Sequence, residues 1–260
     1  MPIIQSVERA LKILDLFDER SRELTITVIS KRMDLHKSTV HSLLKTLQSN
    51  RYIIQNEENG KYMLGLKLFE RGNVVVSNLD LRTVARKHLE MLSDTTNLTV
   101  HLVILDGQYG VYIDKVEGSG VTVVYSRIGR RVPIHTSAVG KSLVANKSND
   151  EIKKLITGYQ FTKLTEKSIN SQEQFMAEVE KVRLMGYSLD NEENEPGIVC
   201  VAVPVKDYSG KVIAAASMST PVAKATSEKL EEYVNLLKQC TFNISEELGF
   251  NYQKAKLLKK

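Results

Sequence analysis

The chain has 260 residues, with 36 lysines and arginines against 31 aspartates and glutamates, a formal net charge of +5. That length leaves room for two domains and a sizeable core, and 42% hydrophobic with 26% charged residues excludes a disordered or fibrous chain. No apolar run approaches the roughly 18 residues of a spanning helix, so no membrane partner is expected, and two cysteines without a secretory signal point to a reducing cytoplasm.

The positive charge sits at the two ends. Residues 1–71 hold 12 basic and 9 acidic side chains, residues 72–250 hold 20 and 22, and residues 251–260 add four lysines and no acid. A basic head of this kind suits nucleic acid more than a membrane surface.

A first helix is predicted over 6–17, with Ser6 as N-cap and Val7, Ala10, Leu11 and Leu14 on one face, extended by Phe17. It would form the floor of a three-helix core. Residues 24–33 read as a short helix capped by Thr25 and ending near Asp34-Leu35. The next helix, 36–47, places Val40, Leu43, Leu44 and Leu47 at i, i+3, i+4 and i+7. Its other face carries Ser38, Thr39, His41, Ser42 and Lys45, with Lys37 at the entrance and no carboxylate. Taken alone this is an ordinary solvated basic face. Two short helices joined by so tight a turn make it the recognition helix of a helix-turn-helix, whose hydroxyls and amines meet phosphates and base edges of double-stranded DNA.

Strand-like runs at 52–55 and 61–64 flank Glu57-Glu58-Asn59-Gly60, and Asn-Gly marks a hairpin turn. The hairpin is a wing, with Lys61 as a further phosphate contact. Residues 66–71 read as helical until Gly72, and the domain boundary is placed at 72–78. A longer helix follows at 80–93, with Leu81, Val84, Ala85, Leu89 and Leu92 as its apolar stripe.

Beyond it the period becomes that of strands, at 99–105, 109–116 and 121–127, separated by Asp106-Gly107 and Gly118-Ser119-Gly120. A short helix at 137–145 is capped by Ser137, and helices follow at 149–156 and 171–185, the latter with Phe175, Val179, Val182 and Met185 on one face and Gly186 as its stop. Strands at 198–205 and 212–218 surround the turn Asp207-Tyr208-Ser209-Gly210, and a long helix at 226–248 closes the chain. The pattern is α+β with a mostly antiparallel sheet.

With both halves laid out, the sequence resembles the IclR family of bacterial transcriptional regulators. The resemblance rests on Ser6-Val7-Glu8-Arg9-Ala10-Leu11-Lys12-Ile13-Leu14, Lys37-Ser38-Thr39-Val40-His41-Ser42-Leu43-Leu44 and Tyr62-Met63-Leu64-Gly65 in the first half. In the second half it rests on Leu79-Asp80-Leu81-Arg82, Pro133-Ile134-His135-Thr136 with Gly140-Lys141, Gly186-Tyr187 with Asp190, Gly197-Ile198-Val199-Cys200-Val201-Ala202 and Ser217-Met218-Ser219-Thr220-Pro221. It implies a winged helix-turn-helix (1–71), a linker helix region (72–95), a GAF-like effector-binding domain (96–250) and a basic tail (251–260). It further implies a homodimer or dimer of dimers on palindromic operator DNA, acting mostly as a repressor of carbon-source catabolism under a small organic-acid effector, with no cofactor. The effector residues carried over by motif are Ala138, Val139, Asp190, Cys200, Ser217 and Ser219. Their chemistry agrees: a helix N-terminus receives a carboxylate, and two serines two apart on a strand face the same way.

The sequence departs from the family pattern at four places. His41-Ser42 replaces a common His-Arg pair; Asn50 stands where Gly is usual, a place with positive φ that Asn tolerates; Val28 removes a capping-box glutamate; and Leu98 replaces a frequent Glu.

Rival readings are weaker. Cys200 as a nucleophile with His101 or His135 as base lacks an orienting constellation. Gly140-Lys141-Ser142 imitates a phosphate loop, but the glycine required five residues earlier is His135. The histidines and cysteines lack metal-ligand spacing, so no metal is expected. Glu192, Glu193 and Glu195 read as a solvated acidic loop beside Asp190. Control by a partner protein instead of a small molecule is the remaining alternative.

Overall fold

Thr25 sets the start of the second helix: its hydroxyl accepts a 3.3 Å hydrogen bond from Val28 N, without help from a glutamate. The computed structural model describes residues 3–18, 21–77, 80–119 and 126–251, and the chain forms two units that divide after Asn78.

The N-terminal unit contains α1 (Gln5–Leu14), α2 (Ile26–Met33), α3 (Lys37–Ser49), β1 (Ile53–Gln55), β2 (Tyr62–Leu64) and α4 (Lys67–Ser77). Ile13, Phe17, Ile29, Val40, Leu44, Leu47 and Ile53 form its core. α1 differs from expectation in two ways. Ile4, without a side-chain hydrogen bond, is the N-cap in place of Ser6, and Val7 and Leu11 face solvent at 53% and 57% exposure. Ala10, Leu14 and Phe17 of the expected row do pack in the core, and Ile13 joins them, so the buried face is rotated from Val7 and Leu11 toward Ile13.

α2 ends on Asp34 in the left-handed region (φ +52°), with Leu35 N bonded to Ser30 O at 3.1 Å. α3 ends in a Schellman pair, Tyr52 N to Leu47 O at 2.9 Å and Arg51 N to Gln48 O at 3.0 Å. That geometry puts the left-handed residue one place beyond the cap, so Arg51 (φ +63°) takes it and Asn50 (φ −93°) does not. The wing is antiparallel, Ile53 facing Leu64 and Gln55 facing Tyr62, while Leu24 bridges Tyr62 on the other edge. Its connection spans residues 56–61 with Gly60 alone at positive φ (+67°), a longer loop than a two-residue turn. α4 runs through Gly72, where a Cβ would meet nothing within 4 Å, and so does not end there.

The C-terminal unit opens with α5 (Asp80–Thr96) and holds a six-stranded sheet in the order β5-β4-β3-β8-β7-β6, every pairing antiparallel. The strands are β3 (Thr99–Asp106), β4 (Tyr109–Val116), β5 (Arg131–Pro133), β6 (Ser188–Asn191), β7 (Ile198–Lys206) and β8 (Val212–Pro221). The short strands β5 and β6 were not expected, and 121–125 of the strand expected at 121–127 lie outside the described residues.

α9 (Ser227–Glu247), capped by Thr226, and α5 cover one face of this sheet, burying Leu89, Leu237 and Ile244 against Val100, Leu102, Val201, Val203 and Met218. α6 (Ala138–Ala145) sits on the other face with Val139 and Leu143 against Val103, Ala202 and Ala215. α7 (Asn149–Leu155) and α8 (Gln172–Met185) extend that layer through Ile152, Phe175, Val179 and Val182. Gly186 ends α8 at φ +71°, and Met185, expected on the packed face, is 36% exposed.

A β-bulge opposes Leu102 to Asp114 and Val103 to Tyr112, leaving Ile113 as the extra residue. It breaks the period-2 alternation. Tyr112 therefore shares the α6 face, while Asp114, fully buried, meets α5, where Arg86 Nη1 donates to it at 2.9 Å.

α6 can seat this closely only because residue 140 lacks a side chain. A Cβ there would lie 2.4 Å from Ile134 Cα and 2.7 Å from its carbonyl oxygen. Gly140→Ala is expected to destabilise the C-terminal unit by about 1–3 kcal/mol through overpacking, read as a lowered melting temperature; an unchanged melting temperature would contradict this seating.

Candidate effector cavity and DNA-binding face

Ser137 shapes the N-terminus of α6: its Oγ accepts from Gly140 N at 3.1 Å and donates to Pro133 O at 2.6 Å. The N–H groups of Ala138 and Val139 lie in the first turn, with no acceptor inside the helix. Both residues line a cavity of about 580 Å³ between α6 and the sheet. Ala138, Val139, Asp190, Cys200, Ser217 and Ser219 all line it.

Sheet register brings the strand residues together. Asp190 faces Cys200 and Cys200 faces Ser219 across three strands, with Cys200 Sγ 3.2 Å from Ser219 Oγ. In the next row Ala202 faces Ser217, and Ser217 faces His101. His101, Tyr112, Ser126, Arg130, Asn194 and Glu195 also line the cavity and were missed from sequence. His101 was weighed from sequence only as a base for Cys200, and its place in a strand in phase with Val103 gave no clue to Ser126. His101 Nε2 lies 2.7 Å from Ser126 Oγ, and Tyr112 packs edge-on to the His101 ring at 5.1 Å.

The acidic segment is not a solvated loop. Glu193 binds Lys141 Nζ through both oxygens at 2.7 and 2.9 Å, and Lys141 is fully buried. Glu192 accepts from Gly197 N at 2.9 Å and pairs with Lys167, while Glu195 lines the cavity. The partners Lys141 and Lys167 are distant in sequence, so local composition misread the segment. Asp190 Oδ1 accepts from Glu193 N at 2.8 Å and Asn194 N at 3.2 Å.

In the N-terminal unit, α3 exposes Lys37, Ser38, His41, Ser42 and Lys45, with Thr39 half-buried. Ser42 Oγ donates back to Ser38 O at 3.1 Å, which leaves its lone pairs as acceptors. Lys61 is less open than expected, its ammonium 3.8 Å from Glu23 Oε2.

The model of the IclR helix-turn-helix domain matches residues 6–57 and that of the bacterial transcriptional regulator IclR C-terminal domain matches 73–246. The chain belongs to the IclR family. It is 52% identical over 250 residues to the HTH-type transcriptional regulator XynR of Escherichia coli, covering 96% of this chain and 99% of XynR. It is 40% identical over 248 residues to KdgR of the same organism, covering 95% and 94%. The crystal structure of Thermotoga maritima IclR superposes with a TM-score of 0.76 at 34% identity, over 95% of this chain and 99% of that one.

An IclR-family chain is a DNA-binding transcriptional regulator and not an enzyme, and the chemistry of the cavity agrees. Burial, and then the charge of Asp190, push the Cys200 thiol far above its ordinary range, so no thiolate nucleophile forms there. Burial and Lys115 hold His101 down at about 3, a neutral ring at physiological pH. His135 does not line the cavity, with its Nδ1 2.6 Å from Tyr159 Oη and its Nε2 3.1 Å from Thr162 O. Among the described residues no group of three or more His, Cys, Asp or Glu could hold a metal ion, and no helix is long and apolar enough to cross a membrane. Leu98 lies in the core against α5 and α9, away from the cavity lining.

Burial raises Asp190 to about 7, against the lowering effect of Lys141 and of its two N–H donors. A carboxyl raised in the folded state binds more protons than in the unfolded chain, so its contribution to stability is lost as pH rises from about 4 to 7. Asp190→Asn keeps the acceptor oxygen and removes the charge. Melting temperatures from pH 5 to 8 are expected to fall less steeply in this variant than in the parent, and parallel curves would contradict the raised carboxyl.

Proposed function

We propose that this regulator is a cytoplasmic, effector-controlled repressor of carbon-source catabolism, released from or fixed on its operator by a small organic acid bound in the C-terminal cavity. The observation that carries the reading is the meeting, in one cavity, of the open N–H groups of Ala138 and Val139 with the hydroxyls of Ser217 and Ser219. A helix N-terminus receives the carboxylate, since its unpaired donors and dipole favour an anion, and the serines bond the remaining polar atoms. Asp190 and Cys200 complete the wall as uncharged or weakly charged neighbours at neutral pH.

Lys37, Ser38, Thr39, His41, Ser42 and Lys45 of α3 contact groove and phosphates of the operator. Control requires unequal effector affinity for the DNA-competent and incompetent arrangements, and α5, the first element of the C-terminal unit, is the transmitting helix. A gel-shift titration on DNA upstream of the protein's own gene and its neighbours, with a panel of small carboxylic acids, tests the reading. Saturable binding that one acid shifts is the expected result. Replacing Ser217 and Ser219 together by Ala is expected to abolish that shift while operator affinity stays near that of the parent; a retained shift removes the pair from the effector site.

The active form is a homodimer, or a dimer of dimers, on a palindromic site. What supports this is the open row Ile4, Val7 and Leu11 along α1, at 67%, 53% and 57% exposure, an apolar stripe of the kind that an association surface covers. Val7→Asp with Leu11→Asp is expected to yield a monomer in sedimentation equilibrium and to weaken operator binding by at least tenfold. A dimer that survives both changes places the interface elsewhere.

A further inference from the structure

The wing is fastened to a residue outside it. Glu23 precedes Leu24, whose N and O pair with Tyr62 at 2.9 and 2.8 Å. Its carboxylate accepts from Asn56 Nδ2 at 3.3 Å through Oε1 and from Asn59 Nδ2 at 3.0 Å through Oε2, and Lys61 Nζ stands 3.8 Å from that second oxygen. The loop also closes on itself, with Asn56 N to Lys61 O at 2.8 Å, Gly60 N to Asn56 O at 2.9 Å and Lys61 N to Asn59 Oδ1 at 2.9 Å. Asn56, Asn59 and Lys61 are thus turned onto one carboxylate, while Gln55 Nε2 donates to Gly60 O at 2.9 Å. Glu57 and Glu58, at the tip, are exposed. At the tip the exposed carboxylates Glu57 and Glu58 have no basic side chain between them and Lys61, while Arg22 and Arg51 flank the wing at its base, so the charge that repels phosphate is that of the tip.

We propose that the wing is an electrostatic brake on non-specific DNA binding, with Glu23 as the positioning residue that withholds Asn56, Asn59 and Lys61 from the phosphate backbone. The brake concerns only the DNA-binding half and does not depend on any effector. An exposed ion pair is weak by itself; the convergence of three donors on Glu23 holds the wing in this state. Phosphate contacts carry no sequence information, so the brake lowers the sequence-independent part of the affinity, the whole of it on arbitrary DNA, while the contacts from α3 are untouched.

The test is fluorescence anisotropy of the full chain on a labelled duplex of arbitrary sequence, about 30 base pairs long, from about 50 to 200 mM salt, the range over which phosphate contacts are resolved. Glu23→Gln keeps an acceptor for one amide but cannot hold the lysine. It is expected to bind more tightly, with a log–log salt slope steeper by about 0.9 for one added phosphate contact, equivalent to about 3.5-fold over that range. Lys61→Ala is expected to cost more affinity in the Glu23→Gln background than in the parent. Glu57→Gln with Glu58→Gln leaves the Glu23 contacts in place, so its tightening does not depend on how well the first variant folds. A parental slope in Glu23→Gln, equal costs of Lys61→Ala in both backgrounds, or no tightening on neutralising the tip would each overturn the proposal.

Discussion

The cavity depends on the antiparallel register of β6, β7, β8 and β3. Register decides that Asp190, Cys200 and Ser219 form one row and that Ser217 and His101 meet in the next. A slip by one residue would turn each of these side chains to the opposite face. What pins the register is the alternate set: Val201 against Met218, Val203 against Ala216 and Val205 against Ala214, all buried beneath α5 and α9. The apolar face fixes the pairing, and the polar face inherits its geometry.

α6 then supplies the other wall. Gly140 lets the helix approach the Ile134 backbone, and the Ser137 cap takes Gly140 N, leaving the first-turn amides of Ala138 and Val139 without an acceptor inside the helix. One turn on, Lys141 carries a fully buried ammonium to Glu193. Burying a charge is costly unless it is paired and hydrogen-bonded, so the contact demands that the segment after Asp190 lie against α6. Further bonds hold the same segment, from Thr165 Oγ1 to Glu192 O at 2.7 Å and from Ser168 Oγ to Glu193 O at 2.7 Å. A stretch that reads as a floppy acidic loop is in fact a wall tied at several points.

The DNA-binding half is organised by local endings more than by its small core. Asp34 and Arg51, both left-handed, terminate α2 and α3 where glycine is commoner. The bonds from Leu35 N to Ser30 O and from Tyr52 N to Leu47 O compensate the backbone cost. These endings set the tight turn before α3 and the abrupt entry into β1, so the exposed hydroxyl and amine face of α3 is presented by a rigid frame.

The sequence by itself determined the helices with one clear apolar stripe, among them α3 and α5, because a 3.6-residue period is a local property. It likewise determined the long strands and the shared face of Ser217 and Ser219, since alternation is local too. With the family resemblance, it placed six residues that do meet in the cavity. Tertiary structure alone decided the rest. β5 and β6, of three and four residues, exist only through partners across the sheet. That the buried face of α1 takes in Ile13 and leaves Val7 and Leu11 in solvent depended on neighbours. Tyr112 entered the cavity through a bulge in the β3–β4 hairpin that strand alternation does not announce, and Lys141 found Glu193 some fifty residues away. Periodicity is written in neighbouring residues, whereas register and long-range charge pairing are set by residues that only the fold brings together.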